Sequence, residues 1–181
     1  MKLMIASDIH GSAQWCRALT DRLEAEKPEK LILLGDYLYH GPRNDLPDGY
    51  DPKAVIELLN GIAGKLLCVR GNCDAEVDQM VLNFPIMADS AMFYADGRSL
   101  YCTHGHLLTE KDFARLGKDG ILLQGHTHVP LCDRSKGVLH LNPGSVSIPK
   151  EGSPHSYLTL EDGLLEWKAL PDGAVWKTER V

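Results

Sequence analysis

The sequence predicts an α/β protein in which two β-sheets pack face to face beneath outer helices. Three observations carry that expectation. The first half alternates short apolar runs with amphipathic stretches, the pattern of a parallel βαβαβ unit. The second half is mostly short strands joined by Gly-containing turns. And 181 residues are enough for one full core but too few to stabilise both halves separately, so a single domain spanning 1–181 is expected.

Each element follows from local signals. Residues 2–7 read as a strand; Ser12 then caps a helix to about Lys27, with Trp15, Ala18, Leu19 and Leu23 as its apolar stripe, and Pro28 ends it. Residues 30–34 (Lys-Leu-Ile-Leu-Leu) form a second, parallel strand. A long loop rich in Gly, Pro, Asn and Asp runs from Tyr37 to Asp51. Pro52 opens a helix with Val55, Ile56, Leu58, Leu59 and Ile62 apolar, and Gly64 closes it before a third strand at 65–70. Met92–Tyr94 and Ser99–Thr103 flank Asp96-Gly97, a hairpin signal. Thr109 caps a short helix to Leu116, stopped by Gly117. Further strands are expected at 121–124, 129–133, 138–142, 156–161 and 164–170, with turns at Lys136-Gly137 and Asp162-Gly163. Trp167 and Trp176 fit strand packing.

Composition narrows the function. The formal net charge is −6 and Lys and Arg form no cluster, which disfavours a long nucleic acid, whose binding needs many phosphate contacts. A small anion remains compatible, because bound cations reverse a local field whatever the global balance. No apolar stretch approaches bilayer length, so no membrane partner is expected. The apolar N-terminus is too short for a signal peptide and leads straight into Asp8. The five cysteines are scattered without a CxxC pair, and together these features favour a reducing cytoplasm.

The chemistry lies in five loops that follow apolar runs. They are Ser7-Asp8-Ile9-His10, Leu34-Gly35-Asp36, Arg70-Gly71-Asn72, Thr103-His104-Gly105 and Gln124-Gly125-His126-Thr127-His128. A Gly at 125 allows a sharp bend, and alternating geometry then splays His126 and His128 towards two different metal ions. Singly, Asp8 and Asp36 read equally well as helix caps, and His104 as structural. No capping or packing argument asks for His10, His104, His126 and His128 together. The seven residues Asp8, His10, Asp36, Asn72, His104, His126 and His128 offer mixed oxygen and nitrogen donors without thiolate. That set suits Mn²⁺, Fe²⁺, Zn²⁺, Co²⁺ or Ni²⁺ rather than Ca²⁺ or Mg²⁺. Seven side chains for two ions ask one aspartate to bridge. Two ions about 3.5–4 Å apart can share a hydroxide and grip a phosphoryl group for in-line attack. Two dications, two aspartates and one hydroxide leave about one positive charge, which a phosphodiester monoanion neutralises.

The ordered set Asp8-x-His10, Gly35-Asp36, Gly71-Asn72, His104 and Gly125-His126-x-His128 resembles the calcineurin-like metallophosphoesterase superfamily. Gly-Asn-Cys-Asp at 71–74, Thr-His-Gly-His at 103–106 and Asn-Pro-Gly-Ser-Val-Ser at 142–147 are similar to its small bacterial YfcE-type phosphodiesterases. The resemblance implies an αββα four-layer sandwich of two mixed β-sheets flanked by helices. It assigns Asp8, His10, Asp36 and His128 to one metal, and Asp36, Asn72, His104 and His126 to the other, with Asp36 bridging. Two divalent transition-metal ions are expected, with Mn²⁺ foremost on the borderline nitrogen and oxygen donor set. Asn72, Cys73 and His104 become the expected catalytic positions. One position departs: the superfamily usually has His after Asn72, a leaving-group acid or phosphate ligand, where this chain has Cys73. A thiol is a poorer partner than imidazolium, so diesters with good leaving groups are favoured. His106 is a candidate substitute.

The expected function is a cytoplasmic metal-dependent phosphodiesterase acting on a small molecule. A phosphomonoesterase or nucleotidase is the alternative within enzymes, and a protein-binding scaffold the alternative outside them, since a eukaryotic retromer subunit resembles this fold. Arg43 and Asn44 on the Tyr37–Asp51 loop, with Cys73 and His106, are the candidate substrate contacts. A homo-oligomer is compatible with the sequence.

Overall fold

Apolar residues in the strands alternate between two destinations, and this alternation builds the layers. In the computed structural model, described for residues 1–95, 97–117 and 120–181 without the side chain of Arg115, β1 (Leu3–Ala6) sends Leu3 and Ile5 to one core and Met4 and Ala6 to another. In β2 (Lys30–Leu33), Leu31 and Leu33 face the second core and Ile32 the first. β3 (Leu66–Cys68) runs parallel to β2, as β2 does to β1. The second core lies against α1 (Ala13–Glu26) and α2 (Pro52–Gly61), burying Cys16, Leu19, Val55 and Leu59.

A four-residue helix, α3 (Glu76–Gln79), leads towards the hairpin of β4 (Ser90–Ala95) and β5 (Arg98–Thr103). Asp96, half of the expected turn, lies outside the described residues, but Ala95 pairs with Arg98 as the hairpin requires. α4 (Glu110–Leu116), β6 (Ile121–Gln124), β7 (Leu131–Asp133) and β8 (Leu139–Asn142) follow. β9 (Ser156–Glu161), β10 (Leu164–Ala169) and β11 (Val175–Arg180) complete the chain. The sheets have the orders β11-β10-β9-β1-β2-β3 and β4-β5-β6-β8-β7, each mixing parallel and antiparallel pairs. Leu100, Cys102, Leu123, Leu141, Leu158 and Trp167 fill the space between them. Tyr101 and Leu122 point the other way, onto Phe113 and Leu116 of α4. The result is the expected four-layer α/β sandwich.

Local signals mostly hold. Ser12 Oγ accepts from the Trp15 amide, and Asp51 Oδ1 accepts from the Ala54 amide at the start of α2. The second helix stops at Gly61, and Ala63–Lys65 continues it as a 3₁₀ turn. Strand β11 and helix α3 escaped the sequence reading. Trp167 is fully buried and its indole N–H donates to Asn142 O at 2.8 Å. Trp176, by contrast, is 41% exposed on the edge strand β11, where little apolar surface is buried and no alternation is written into the sequence.

An ionic cluster ties α1 to the six-stranded sheet. Glu26 lies 2.7 Å from Lys2 Nζ and 3.0 Å from Lys168 Nζ, and accepts from the Tyr157 hydroxyl at 2.9 Å. Burial alone would raise its carboxyl, but the two ammonium groups and the hydroxyl hold it down at about 2. Its folded value lies below its unfolded one, so its contribution is complete above about pH 4.5 and is lost as pH falls towards 2. Glu26→Gln is expected to cost about 2 kcal/mol at pH 7, less than a fully buried pair would lose. Urea denaturation of both proteins at pH 7 and pH 3 checks this. The difference should shrink at pH 3.

Candidate metal centre

Five strands end at one rim, and their polar loops meet there. Asp8 and His10 follow β1, Asp36 follows β2, Asn72 follows β3, His104 follows β5, and His126 and His128 follow β6. β1, β2 and β3 are mutually parallel, as are β5 and β6, so all seven residues lie beyond carboxyl ends, where open α/β sheets gather ligands. Five of the seven have left-handed backbone: Asp8 (φ 61°), His10 (48°), Asp36 (59°), His126 (66°) and His128 (61°). Each costs of order 1 kcal/mol or more, a strain the surrounding structure must hold in place.

Gly125 is not among the left-handed residues, so the bend expected of it is made by the histidines that follow. Glycine is needed there for space: a Cβ would overlap Ser7 Oγ and press on Asp8 Oδ2. At Gly71 a Cβ would overlap the Asp36 carboxylate. The Asn-Pro-Gly-Ser-Val-Ser segment braces the strained loops. Ser145 and Ser147 hydroxyls both donate to Asp8 O at 3.0 Å, and Asn142 Nδ2 donates to Gly125 O at 2.8 Å.

The seven side chains crowd into two neighbouring groups, and Asp36 lies against both. In the first, His10 Nε2 is 3.2 Å from His128 Nε2 and 3.6 Å from both Asp8 Oδ1 and Asp36 Oδ2, while His128 Nε2 is 3.3 Å from Asp8 Oδ1. In the second, His104 Nε2 is 3.0 Å from Asn72 Oδ1, 3.2 Å from His126 Nδ1 and 3.4 Å from Asp36 Oδ2. Metal–donor bonds near 2.0–2.2 Å at ordinary angles place neighbouring donors about 2.8–3.6 Å apart. The observed spacings match.

The ring protons make the case stronger. His10 Nδ1 donates to Tyr39 O (2.8 Å), His104 Nδ1 to Leu34 O (2.7 Å) and His128 Nδ1 to Ile148 O (2.6 Å). A neutral ring that gives its one proton away presents a bare lone pair at Nε2. Nε2 of His10 and Nε2 of His128 therefore meet at 3.2 Å, and Nε2 of His104 meets His126 Nδ1 at 3.2 Å, all beside the Asp8 and Asp36 carboxylates. Asp8 Oδ1 is fully buried and accepts no hydrogen bond. This arrangement is repulsive unless positive charge lies between the groups, and a divalent cation fits it.

Electrostatics say the same. Burial would pull His104 down, yet its contact with Asp36 and the charge of Asp8 carry it up to about 9, so a proton on Nε2 answers the same demand for positive charge that a bound cation would. Burial would raise Asp8 and Asp36, but the imidazoles hold both below the usual carboxylate range. Asp74 was not foreseen as part of the site. It is buried, and its carboxylate accepts from the Asp36, Tyr37 and Gly71 amides at 2.8, 2.9 and 2.6 Å. It thus pins the Asp36 loop to the Gly71-Asn72 loop. Burial and the Asp36 charge push it up to about 6.

A cavity of about 330 Å³ opens over these donors, lined among others by His10, Asp36, Cys73, His126 and His128. Of the candidate substrate contacts, Arg43, Asn44 and Cys73 line it. Cys73 is half-buried; its amide donates to Asp36 Oδ1 at 2.8 Å, and burial with the nearby Asp36 charge pushes its thiol up to about 12. His106 is not in the lining; its ring packs edge-on against His104 at 5.4 Å and lies 6.2 Å from His126. Lys150, also unforeseen, does line the cavity. A lone Lys in a Pro-Lys-Glu turn carries no signal. Asp74 stood in plain view within Gly-Asn-Cys-Asp.

Comparison with known proteins agrees with this geometry. Residues 1–162 match the model of the calcineurin-like phosphoesterase superfamily domain. Phosphodiesterase YfcE of Escherichia coli K12 is 46% identical over 175 residues, 97% of this chain and 95% of that one. The structure of the E. coli phosphoesterase Yfce superposes with a TM-score of 0.95 at 44% identity over 99% of both chains. A Vps29 structure from Entamoeba histolytica shares the fold alone, with a TM-score of 0.64 at 23% identity over 100% of this chain and 98% of that one.

Proposed function

Since this chain belongs to the calcineurin-like phosphoesterase superfamily and is a metal-dependent phosphoesterase, we propose that it holds two divalent transition-metal ions and hydrolyses small-molecule phosphodiesters. The observation that carries this reading is the division of seven donors into two sets that meet at Asp36 Oδ2. Asp8, His10, Asp36 and His128 would hold one ion, and Asp36, Asn72, His104 and His126 the other. Bound there, the ions would supply the Lewis acidity that makes hydroxide available at neutral pH and neutralises phosphoryl oxygens. Mn²⁺ suits the mixed donors, and the scaffold alternative leaves so complete a donor set without a use.

The chain's own groups do the rest. Asp74 fixes Asp36 and the Asn72 loop, so the donors need no rearrangement before binding. Asn72 and His104 face each other across the second set, with Cys73 beside them on the substrate side. His106 buttresses the His104 and His126 rings. Arg43 and Asn44 orient the substrate from the long loop, which is pinned at His10 through Tyr39 O and at Gly11 through the Asp51 amide. A single domain serves the site, since both sheets contribute ligands. The E. coli relative named a phosphodiesterase supports the diester over the monoester. All five cysteines are free, which supports a cytoplasmic location.

Chelation followed by metal add-back, with kinetics on paired mono- and diesters, tests the proposal. Activity should vanish, return best with Mn²⁺, and favour the diester. Equal or better turnover of monoesters would replace it with the phosphatase alternative. Arg43→Ala is expected to raise KM about tenfold with metal content intact, the size of one lost charged hydrogen bond, and steady-state kinetics with metal analysis would show it. Unchanged kinetics would remove Arg43 from the pocket.

A further inference from the structure

Two exposed cations line the cavity over the donors. Arg43 and Lys150 both line it, and among the described residues neither forms an ion pair. The Lys150 segment is fastened to the centre, and the Arg43 loop is braced within itself. The Lys150 amide donates to His128 O at 3.2 Å, and Asn44 next to Arg43 donates through Nδ2 to His40 O at 2.8 Å. Gly41, two residues before Arg43, approaches Cys73 so closely that a Cβ would come within 3.1 Å of its Sγ. The protein as a whole carries −6, so two uncompensated cations at this one mouth run against its general balance.

The charge balance then changes. Two dications, Asp8, Asp36 and a hydroxide leave about one positive charge, and Arg43 with Lys150 raises this to about three. A simple diester monoanion leaves two of them unanswered. The cleft also continues: Arg43 and Asn44 line a second cavity of about 440 Å³ with Leu46, Pro47, Ile148 and Pro149, enough room for an organic group beyond the phosphate.

We propose that the substrate is a small phosphodiester carrying a second anionic group, a carboxylate or a further phosphate, held by Lys150 and Arg43. This rests on the phosphoesterase reading of the same cleft. Lys150 acts as a selector for that group: it lines the cavity from an exposed position, and among the described residues its side chain holds none of the seven donors in place.

The test compares matched probes on Mn²⁺-loaded protein by calorimetry at fixed ionic strength. The pairs are ethyl phosphate against phosphoglycolate, and butyl phosphate against its four-carbon carboxyalkyl counterpart. In at least one pair the carboxylate is expected to improve affinity tenfold or more, about the gain of one charge-assisted hydrogen bond. Lys150→Ala should shrink that preference to within about threefold, Lys150→Arg should keep it, and salt should weaken it. Equal affinities within both pairs would overturn the proposal, as would a preference that survives Lys150→Ala combined with Arg43→Ala. Failure of the diesterase reading shows elsewhere, as lack of turnover of bis(p-nitrophenyl) phosphate by the same preparation.

Discussion

Asp36→Asn is expected to lower kcat/KM for an activated diester by about 10³-fold or more and to leave less than one tightly held metal ion per chain. The reason is position. Asp36 Oδ2 lies 3.6 Å from His10 Nε2 and 3.4 Å from His104 Nε2, so it is within reach of histidines in both sets. Asparagine keeps the shape, and its carbonyl oxygen can still accept the Cys73 amide now held by Oδ1. It removes the negative charge on which two cations at close range depend. His126→Ala and His128→Ala each belong to one set only, and each should weaken one ion while the other persists. Metal analysis of dialysed protein separates the two patterns, and unchanged circular dichroism would show that the fold is kept. Near-normal activity of Asp36→Asn would end the shared-carboxylate reading.

Cys73→His is expected to flatten the dependence of rate on leaving-group basicity, raising turnover of alkyl diesters by about 10²-fold or more while aryl diesters change little. Cys73 lies in the cavity beside Asn72 and Asp36, where a protic group could reach the departing oxygen. A neutral thiol delivers a proton to a basic departing oxygen less readily than a cationic imidazolium does. The native enzyme should therefore handle good leaving groups well and basic ones poorly. Cys73→Ser should resemble the native protein, because a hydroxyl delivers a proton no better. A native rate insensitive to leaving group would show that another residue already supplies the proton. His106 would be the first suspect, and His106→Ala should then expose the dependence.

The layers, and the gathering of seven polar side chains at one rim, were legible because they depend on short-range rules. Alternation in Leu-Met-Ile-Ala and Lys-Leu-Ile-Leu states which residues face each core, and the structure divides them accordingly. The seven donors stood out because no packing role calls for them at successive strand ends. What escaped depends on distant partners. Asp74 matters through amides at 36, 37 and 71, and a single Asp in sequence does not announce which amides it will meet. Gly125 read as a hinge, yet it serves close approach to Ser7 and Asp8, more than a hundred residues away. Lys150 gains meaning only when its loop is laid over His128. Edge strand β11 buries too little apolar surface to leave a pattern.

The central claim is that two metal ions sit in the two donor sets on either side of Asp36. Anomalous diffraction from crystals of Mn²⁺-loaded protein, recorded at the manganese edge, tests it most directly. Two peaks per chain are expected. One should be enclosed by Asp8, His10 and His128 and the other by Asn72, His104 and His126, with the Asp36 carboxylate touching both. A single peak, or two peaks that leave Asp36 unliganded, would contradict it.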